Sequence, residues 1–205
     1  MKHEAHPQTR IQRKNRMAIL DAALAVFSQA GFRGATLDQI ARTAGLSKPN
    51  LLYYFPSKEA IHVELLSGLM EIWLAPLRQL DAQGQPVDEI VAYVLRKLEM
   101  SRELPRESRL FANEIIQGAP RILARIKGEL RDLVNEKAAV IQGWIDDGRL
   151  ARIDPYHLLF SIWATTQHYA DFDVQVRGIL QPGDQEHYND AARFLQDFYR
   201  RALTP

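Results

Sequence analysis

The sequence has no cysteine. That excludes disulfides, thiolate metal sites and a cysteine nucleophile, and with them a disulfide-stapled secreted module. No uninterrupted apolar run approaches the ~18 residues that a membrane-spanning helix needs, and the first residues lack the apolar core of a secretion signal. The expectation is a soluble, cytoplasmic protein with no membrane partner. Strand-like alternation does not persist anywhere, so an all-α fold is expected. Repeats and low-complexity tracts are absent too. There is no phosphate-binding glycine loop and no nucleophile–base–orienter set, so no enzyme, cofactor or metal is expected.

What is present is a chain of 205 residues, 46% hydrophobic, long enough for one helical body with a small head. The net charge of +1 hides an asymmetry. Residues 1–60 hold nine Lys and Arg against four acids, a net +5, which leaves −4 for the remainder. A basic head on an acidic body is the electrostatic footprint of a DNA-binding head, with chance clustering as the plain alternative.

Residues 36–58 carry the organising pattern. Thr36 stands before an apolar-periodic run with Gln39 three residues on, which is a capping box. Leu37, Ile40, Ala41 and Ala44 give one buried face, and Gly45 supplies the left-handed position that ends the helix. Ser47 caps a second helix with Pro49 in its first turn; the helix must stop before Pro56. Ser57 caps the next. Two short helices joined by a glycine turn form a helix-turn-helix, whose second helix reads DNA. Its first residues, Lys48, Pro49 and Asn50, are placed for base edges: Asn pairs with adenine, Lys reaches guanine, and the Pro ring packs on a thymine methyl. Tyr53, Tyr54 and Lys58 suit phosphate oxygens. A helical hairpin without a DNA role is the competing reading.

The residues Thr36, Ile40-Ala41, Ala44-Gly45-Leu46-Ser47, Leu51 and Tyr53-Tyr54-Phe55-Pro56-Ser57-Lys58-Glu59, with Ile19 to Ala23, Phe27, Gly31-Phe32 and Gly34, resemble the DNA-binding signature of the TetR family of transcriptional regulators. Leu52 stands where that family usually has tyrosine. The resemblance implies a three-helix head over 1–60 with Thr36, Ser47, Lys48, Pro49, Asn50, Tyr53, Tyr54 and Lys58 at the DNA. It implies a helical ligand-binding and dimerisation body over 61–205, with about nine helices expected.

Taken in order, residues 1–9 are expected to form a disordered arm in which His3 and His6 are solvated rather than metal-binding. Arg10, Arg13, Lys14 and Arg16 are placed to reach phosphates or the minor groove, with a solubilising basic turn as the plain alternative. Helices are expected over about 10–30, 57–80, 87–103, 106–117, 121–147, 154–171 and 185–203. A break is expected at Ala75-Pro76, where head should meet body, and a loose stretch over 172–185 containing Gly178, Pro182 and Gly183.

In the body, Ile72 to Leu77, Ser108 to Phe111, Gly118-Ala119-Pro120, Gly143-Trp144, Ile153 to Leu158 and Ile162 to Phe172 resemble the pyrimidine-responsive regulators of the same family, which share Leu52. This resemblance implies a homodimer on a pseudo-palindromic operator of double-stranded DNA, released by uracil or a similar pyrimidine. The walls of such a site are expected from Trp73, Leu74, Phe111, Trp163, Tyr169 and Phe172. Gln167, an amide among apolar neighbours, and Glu114, set before Ile115-Ile116, are expected to point inward. His168, Asp171 and Asp173 lack an evident third ligand, so an interface histidine is preferred to a metal site. The helices near 154–171 and 185–203 are expected to pair with their twins as a four-helix bundle, through Leu158, Ile162, Phe194 and Phe198. The rivals are a TetR-type repressor for another small aromatic molecule, a small-molecule enzyme, and an architectural DNA binder without a ligand.

Overall fold

The computed structural model describes residues 10–183 and 186–205. The expectations for His3, His6 and the arm over 1–9 lie outside the described residues. The fold is all-α. It divides into two compact units, the first ending at Gly68 and the second beginning at Leu69.

In the first unit, α1 (Arg10–Gly34) presents Ile19, Ala22, Ala23, Leu24 and Phe27 to the core. Gly31 interrupts it with φ 66°, which glycine adopts without strain. The capping box forms as its sequence demands: the Thr36 N–H donates to Gln39 Oε1 at 2.8 Å, and the Gln39 N–H donates to Thr36 Oγ1 at 3.2 Å. It opens α2 (Leu37–Thr43). The helix closes in a Schellman turn: the Gly45 N–H reaches the Arg42 carbonyl at 3.1 Å and the Leu46 N–H reaches the Ala41 carbonyl at 2.9 Å. Gly45 holds φ 69°. Ser47 then caps α3 (Lys48–Tyr54), which ends at Phe55 in extended backbone before Pro56. Thr36→Ala is expected to cost about 1 kcal/mol of head stability through the lost cap; urea unfolding followed by circular dichroism measures it.

The next helix, α4 (Lys58–Arg78), supplies Ile61 and His62 to the head core and continues into the second unit. The His62 ring lies edge-on to Phe27 and Phe32, with centroids 4.7 and 4.9 Å away. Pro76, where a break was expected at the junction, lies within the second unit, in the last turn of α4. Although no single apolar run is long, α4 as a whole is long and apolar enough to cross a membrane, with mean hydropathy 1.3 over its best window. Its Ile61, Leu66, Met70, Leu74 and Leu77 are buried inside the protein.

The second unit adds α5 (Pro86–Glu103), α6 (Pro105–Ile116), α7 (Leu123–Arg125), a π-helical turn at Ile126–Leu130, α8 (Arg131–Asp146), α9 (Pro155–Asp171), α10 (Asp173–Leu180) and α11 (Glu186–Leu203). α5 is its axis, packed between α9 and α11, while α6 and α8 flank α9. Pro86, Pro105 and Pro155 each sit in a first helical turn, where a missing N–H costs nothing. Two expectations are corrected. The single helix over 121–147 is interrupted by the π-helical turn. The loose stretch over 172–185 contains α10, because Gly178 is tolerated inside a helix and the break comes only at Gln181, with φ 46°, ahead of Pro182.

Candidate DNA-reading helix and ligand cavity

In the head, Lys48, Pro49 and Asn50 form the exposed first turn of α3. The Lys48 ammonium lies 2.9 Å from the Asp38 carboxylate of α2, an exposed pair that water screens and that an approaching phosphate can replace. Tyr53 is exposed, and its phenol oxygen accepts from Gln12 at 3.3 Å. The Tyr54 phenol oxygen accepts from Asn15 at 2.9 Å. Thr36 and Ser47 are exposed, with their oxygens occupied as helix caps.

Two cations assigned to DNA are tied down instead. Lys58 Nζ donates to the carbonyls of Phe32 and Ala35, both at 2.7 Å, and sits over the Phe32 ring. It closes the end of α1 left open by the Gly31 break. Arg16 pairs with Glu64, donates to the Tyr54 carbonyl at 3.1 Å and stacks over Phe55 at 4.2 Å. It holds α3 and α4 to α1. Arg10, Arg13 and Lys14 remain exposed.

The body carries a half-open cavity of about 560 Å³. Its walls come from four helices and the π-helical turn: Met70, Trp73 and Leu74 from α4, Tyr93 and Lys97 from α5, Phe111, Ala112, Ile115 and Ile116 from α6, Ile126 and Leu130 from the turn, and Trp163, Gln167 and Asp171 with Phe172 from α9 and its end. Six of the eight expected residues meet here: Trp73, Leu74, Phe111, Trp163, Gln167 and Phe172. Trp73 and Phe111 stack with centroids 6.5 Å apart. The other two do not line it. Glu114 turns away to accept from the Arg121 N–H at 2.8 Å and pairs with its guanidinium at 2.9 Å. It braces the turn in which Gly118 and Ala119 take φ 87° and 52°. Tyr169 packs toward Tyr188, whose hydroxyl donates to the Tyr169 carbonyl at 3.2 Å.

The polar side of the cavity is the part that sequence reasoning missed. Tyr93, Lys97 and Asp171 all lie on it. Tyr93 Oη accepts from Trp163 Nε1 at 2.7 Å, and burial raises its pKa. Lys97 is 3% exposed. Burial lowers its pKa to about 7, partly offset by the charge of Asp171. Burial raises the Asp171 pKa, against the hydrogen bond it accepts from Ser108 at 2.6 Å. The available signal was the spacing of Tyr93 and Lys97, one turn apart on a helix whose other face is also apolar. The π-helical turn, a local irregularity often found at functional sites, is pinned to α4 by ion pairs. Arg125 bonds Glu71 and Glu129, each at 2.7 Å, and Arg78 bonds Glu71 at 3.0 Å and Glu129 at 2.5 Å. Among the described residues no three His, Asp or Glu side chains gather as metal ligands.

The residues assigned to dimerisation divide. Leu158 and Ile162 are buried in the body's own core. Phe194 and Phe198 are 61% and 49% exposed and stack on each other with centroids 5.9 Å apart. On α9 the outward aromatics are Tyr156 and Phe160.

Two family models match the chain. Residues 19–65 match the model for bacterial regulatory proteins of the tetR family, and residues 66–205 match that for the YcdC-like protein C-terminal region. The chain is 50% identical over 190 residues to the HTH-type transcriptional regulator RutR of Escherichia coli K12, covering 92% of this chain and 90% of that one. It is 31% identical over 138 residues to the HTH-type transcriptional regulator SrpR of Pseudomonas putida, covering 60% and 62%. A TetR-like transcriptional regulator from Rhodococcus sp. RHA1 has the same fold, with TM-score 0.67 at 18% identity over 96% of this chain and 97% of that one. These relatives are regulators rather than enzymes, and regulators of the family bind DNA and small-molecule effectors as dimers. With a helix-turn-helix head, a cavity in the body and half its sequence shared with RutR, the chain belongs to the TetR family of transcriptional regulators.

Proposed function

We propose that this protein is a cytoplasmic, homodimeric regulator of pyrimidine metabolism genes whose affinity for a pseudo-palindromic operator falls when uracil or thymine binds in the body. The observation that carries the reading is the placement of Gln167. A primary amide donates and accepts, which matches the imide edge of an oxo-pyrimidine, and this one lies among the flat walls of Trp73, Phe111 and Trp163. The volume leaves room beside a single ring, so a 5-methyl group is admitted. The resemblance to pyrimidine-responsive regulators points the same way. α4 carries both Trp73 and Leu74 of the cavity and Lys58 of the head.

Fluorescence anisotropy with labelled operator tests the reading. Uracil is expected to release bound DNA. Near-complete release requires the ligand to prefer the non-binding state by about 5 kcal/mol. If uracil and thymine leave the complex intact while an aromatic acid dissolves it, the effector is another flat molecule and only the coarser function stands.

In the head, Asn50→Ala is expected to cost about 1–3 kcal/mol of operator affinity and to relax selectivity at one base position. Lys58→Met is expected to lower the melting temperature of the head and to leave the salt dependence of binding unchanged, because its ammonium is held by two carbonyls. Lys48→Met is expected to weaken the preference for guanine at its base position. Titrations of the three variants at several salt concentrations, with base-substituted operators, separate these roles. An Asn50→Ala protein with wild-type selectivity would remove α3 as the reading helix.

A further inference from the structure

The cavity holds more hydrogen-bond donors than its walls satisfy. Lys97 is almost wholly buried, yet among the described residues its ammonium has no hydrogen-bond acceptor. It stands 5.3 Å from the centroid of the Trp73 ring and in the field of Asp171. Tyr93 accepts from Trp163 and keeps its own proton to give. A cation that lines an otherwise largely apolar cavity with no protein acceptor is costly, and an apolar side chain of the same length would serve the core better. Its presence is explained by an acceptor that arrives with the ligand.

We infer that Lys97 grips an oxygen of the bound ligand, so that the cavity selects rings with an oxo or carboxylate group at that edge over rings with an amine there. The inference rests on the reading of this cavity as the effector site and names the residue that sets its selectivity. The groups facing Lys97 fit. Trp73 on α4 and Phe111 on α6 are apolar faces, and Ile126 and Leu130 of the π-helical turn are aliphatic. Tyr93, on the same helix, stays neutral with its pKa raised. Gln167 and Asp171 on α9 are the polar neighbours, and Asp171 is itself held by Ser108 and biased by Arg109 and His168.

A pH dependence follows. The free protein's Lys97 loses its proton near pH 7. A ligand oxygen favours the ammonium and raises that pKa. Binding therefore takes up a proton at about pH 8, takes up little at about pH 6, and weakens as pH rises through 7.

Calorimetry in two buffers of different ionisation enthalpy reads both effects, with uracil, cytosine and benzoate as probes. Wild type is expected to bind uracil with proton uptake at the higher pH and to bind cytosine at least about tenfold more weakly. Lys97→Met is expected to lose roughly ten- to a hundredfold in uracil affinity, lose the proton uptake, and melt no lower than wild type. Lys97→Gln, which keeps a donor without the charge, is expected to retain part of the affinity and none of the pH dependence. Unchanged uracil binding by Lys97→Met would overturn the inference and leave the pyrimidine reading standing. Lys97-dependent binding of benzoate without any binding of uracil would uphold the grip on oxygen and overturn the pyrimidine reading. A wild type that binds none of the probes overturns both.

Discussion

Gln167→Leu is expected to bind uracil at least about a hundredfold more weakly than wild type, with its melting temperature changed by no more than a few degrees. The substitution keeps volume and removes one donor and one acceptor from a wall that is otherwise aromatic and aliphatic. Inside such a cavity the ligand gives up water at its imide edge. Without the amide it regains neither bond, and each polar group left unpaired costs about 1–3 kcal/mol. Folding is spared because the side chain is half-buried and makes no hydrogen bond on which another element depends. The same argument orders the ligands. Thymine adds a methyl group away from the imide edge and is expected to bind within about tenfold of uracil. 1,3-Dimethyluracil blocks both N–H donors and is expected to bind far more weakly, since a site built around hydrogen bonds rejects analogues that lack them more strongly than it rejects an added methyl. Isothermal titration of the three ligands decides the matter. Equal binding of dimethyluracil, or undiminished binding by the variant, would mean that the amide does not recognise the ring.

How far the sequence foretold this structure depends on whether a feature is local. Thr36 with Gln39, Gly45 before Leu46, and Ser47 before Pro49 each bond within a few residues, so their geometry could be read directly and it formed. Arg16 and Lys58 look in sequence like other basic residues of a DNA-binding head. Their partners are 48 and 26 residues away, and only the fold shows that they are already engaged. Glu114 is similar: inward-pointing was correct, but its partner is the Arg121 turn rather than a ligand. α9 posed a different difficulty. Leu158, Leu159, Phe160, Ile162 and Trp163 are apolar nearly all round the helix, so periodicity could not separate the face that packs on α5 from the face left open. The structure buries Ile162 completely and leaves Phe160 half in solvent. Lys97 was overlooked because a lysine on an amphipathic helix is almost always solvated. Its burial is produced by α4, α6 and α9 closing around it.

The double variant Phe194→Glu, Phe198→Glu is expected to convert the dimer to monomers at micromolar concentration and to abolish tight operator binding with it. Phe194 and Phe198 lie one turn apart on the outer face of α11, stacked and largely exposed, while Leu195 and Tyr199 beside them fill the body's core. On α9, Phe160 and Tyr156 are exposed as well. Regulators of this family are dimeric, and an exposed aromatic face on the last helix fits a subunit contact. An obligate contact of that kind typically buries more than about 2,000 Å² and is predominantly apolar. Two carboxylates placed in it would lose their water without gaining partners, at about 3–5 kcal/mol for each uncompensated charge. On each protomer both sites face solvent, so the isolated fold should survive. Circular dichroism and uracil binding are therefore expected to be retained while light scattering reports half the mass. The loss of DNA binding follows from geometry: one head engages one half-site, and the roughly 10²–10⁴-fold gain from linking two heads disappears. A variant that remains dimeric with full operator affinity would move the subunit interface to another face. A variant that becomes monomeric yet binds operator as tightly as wild type would show that the two heads do not act together.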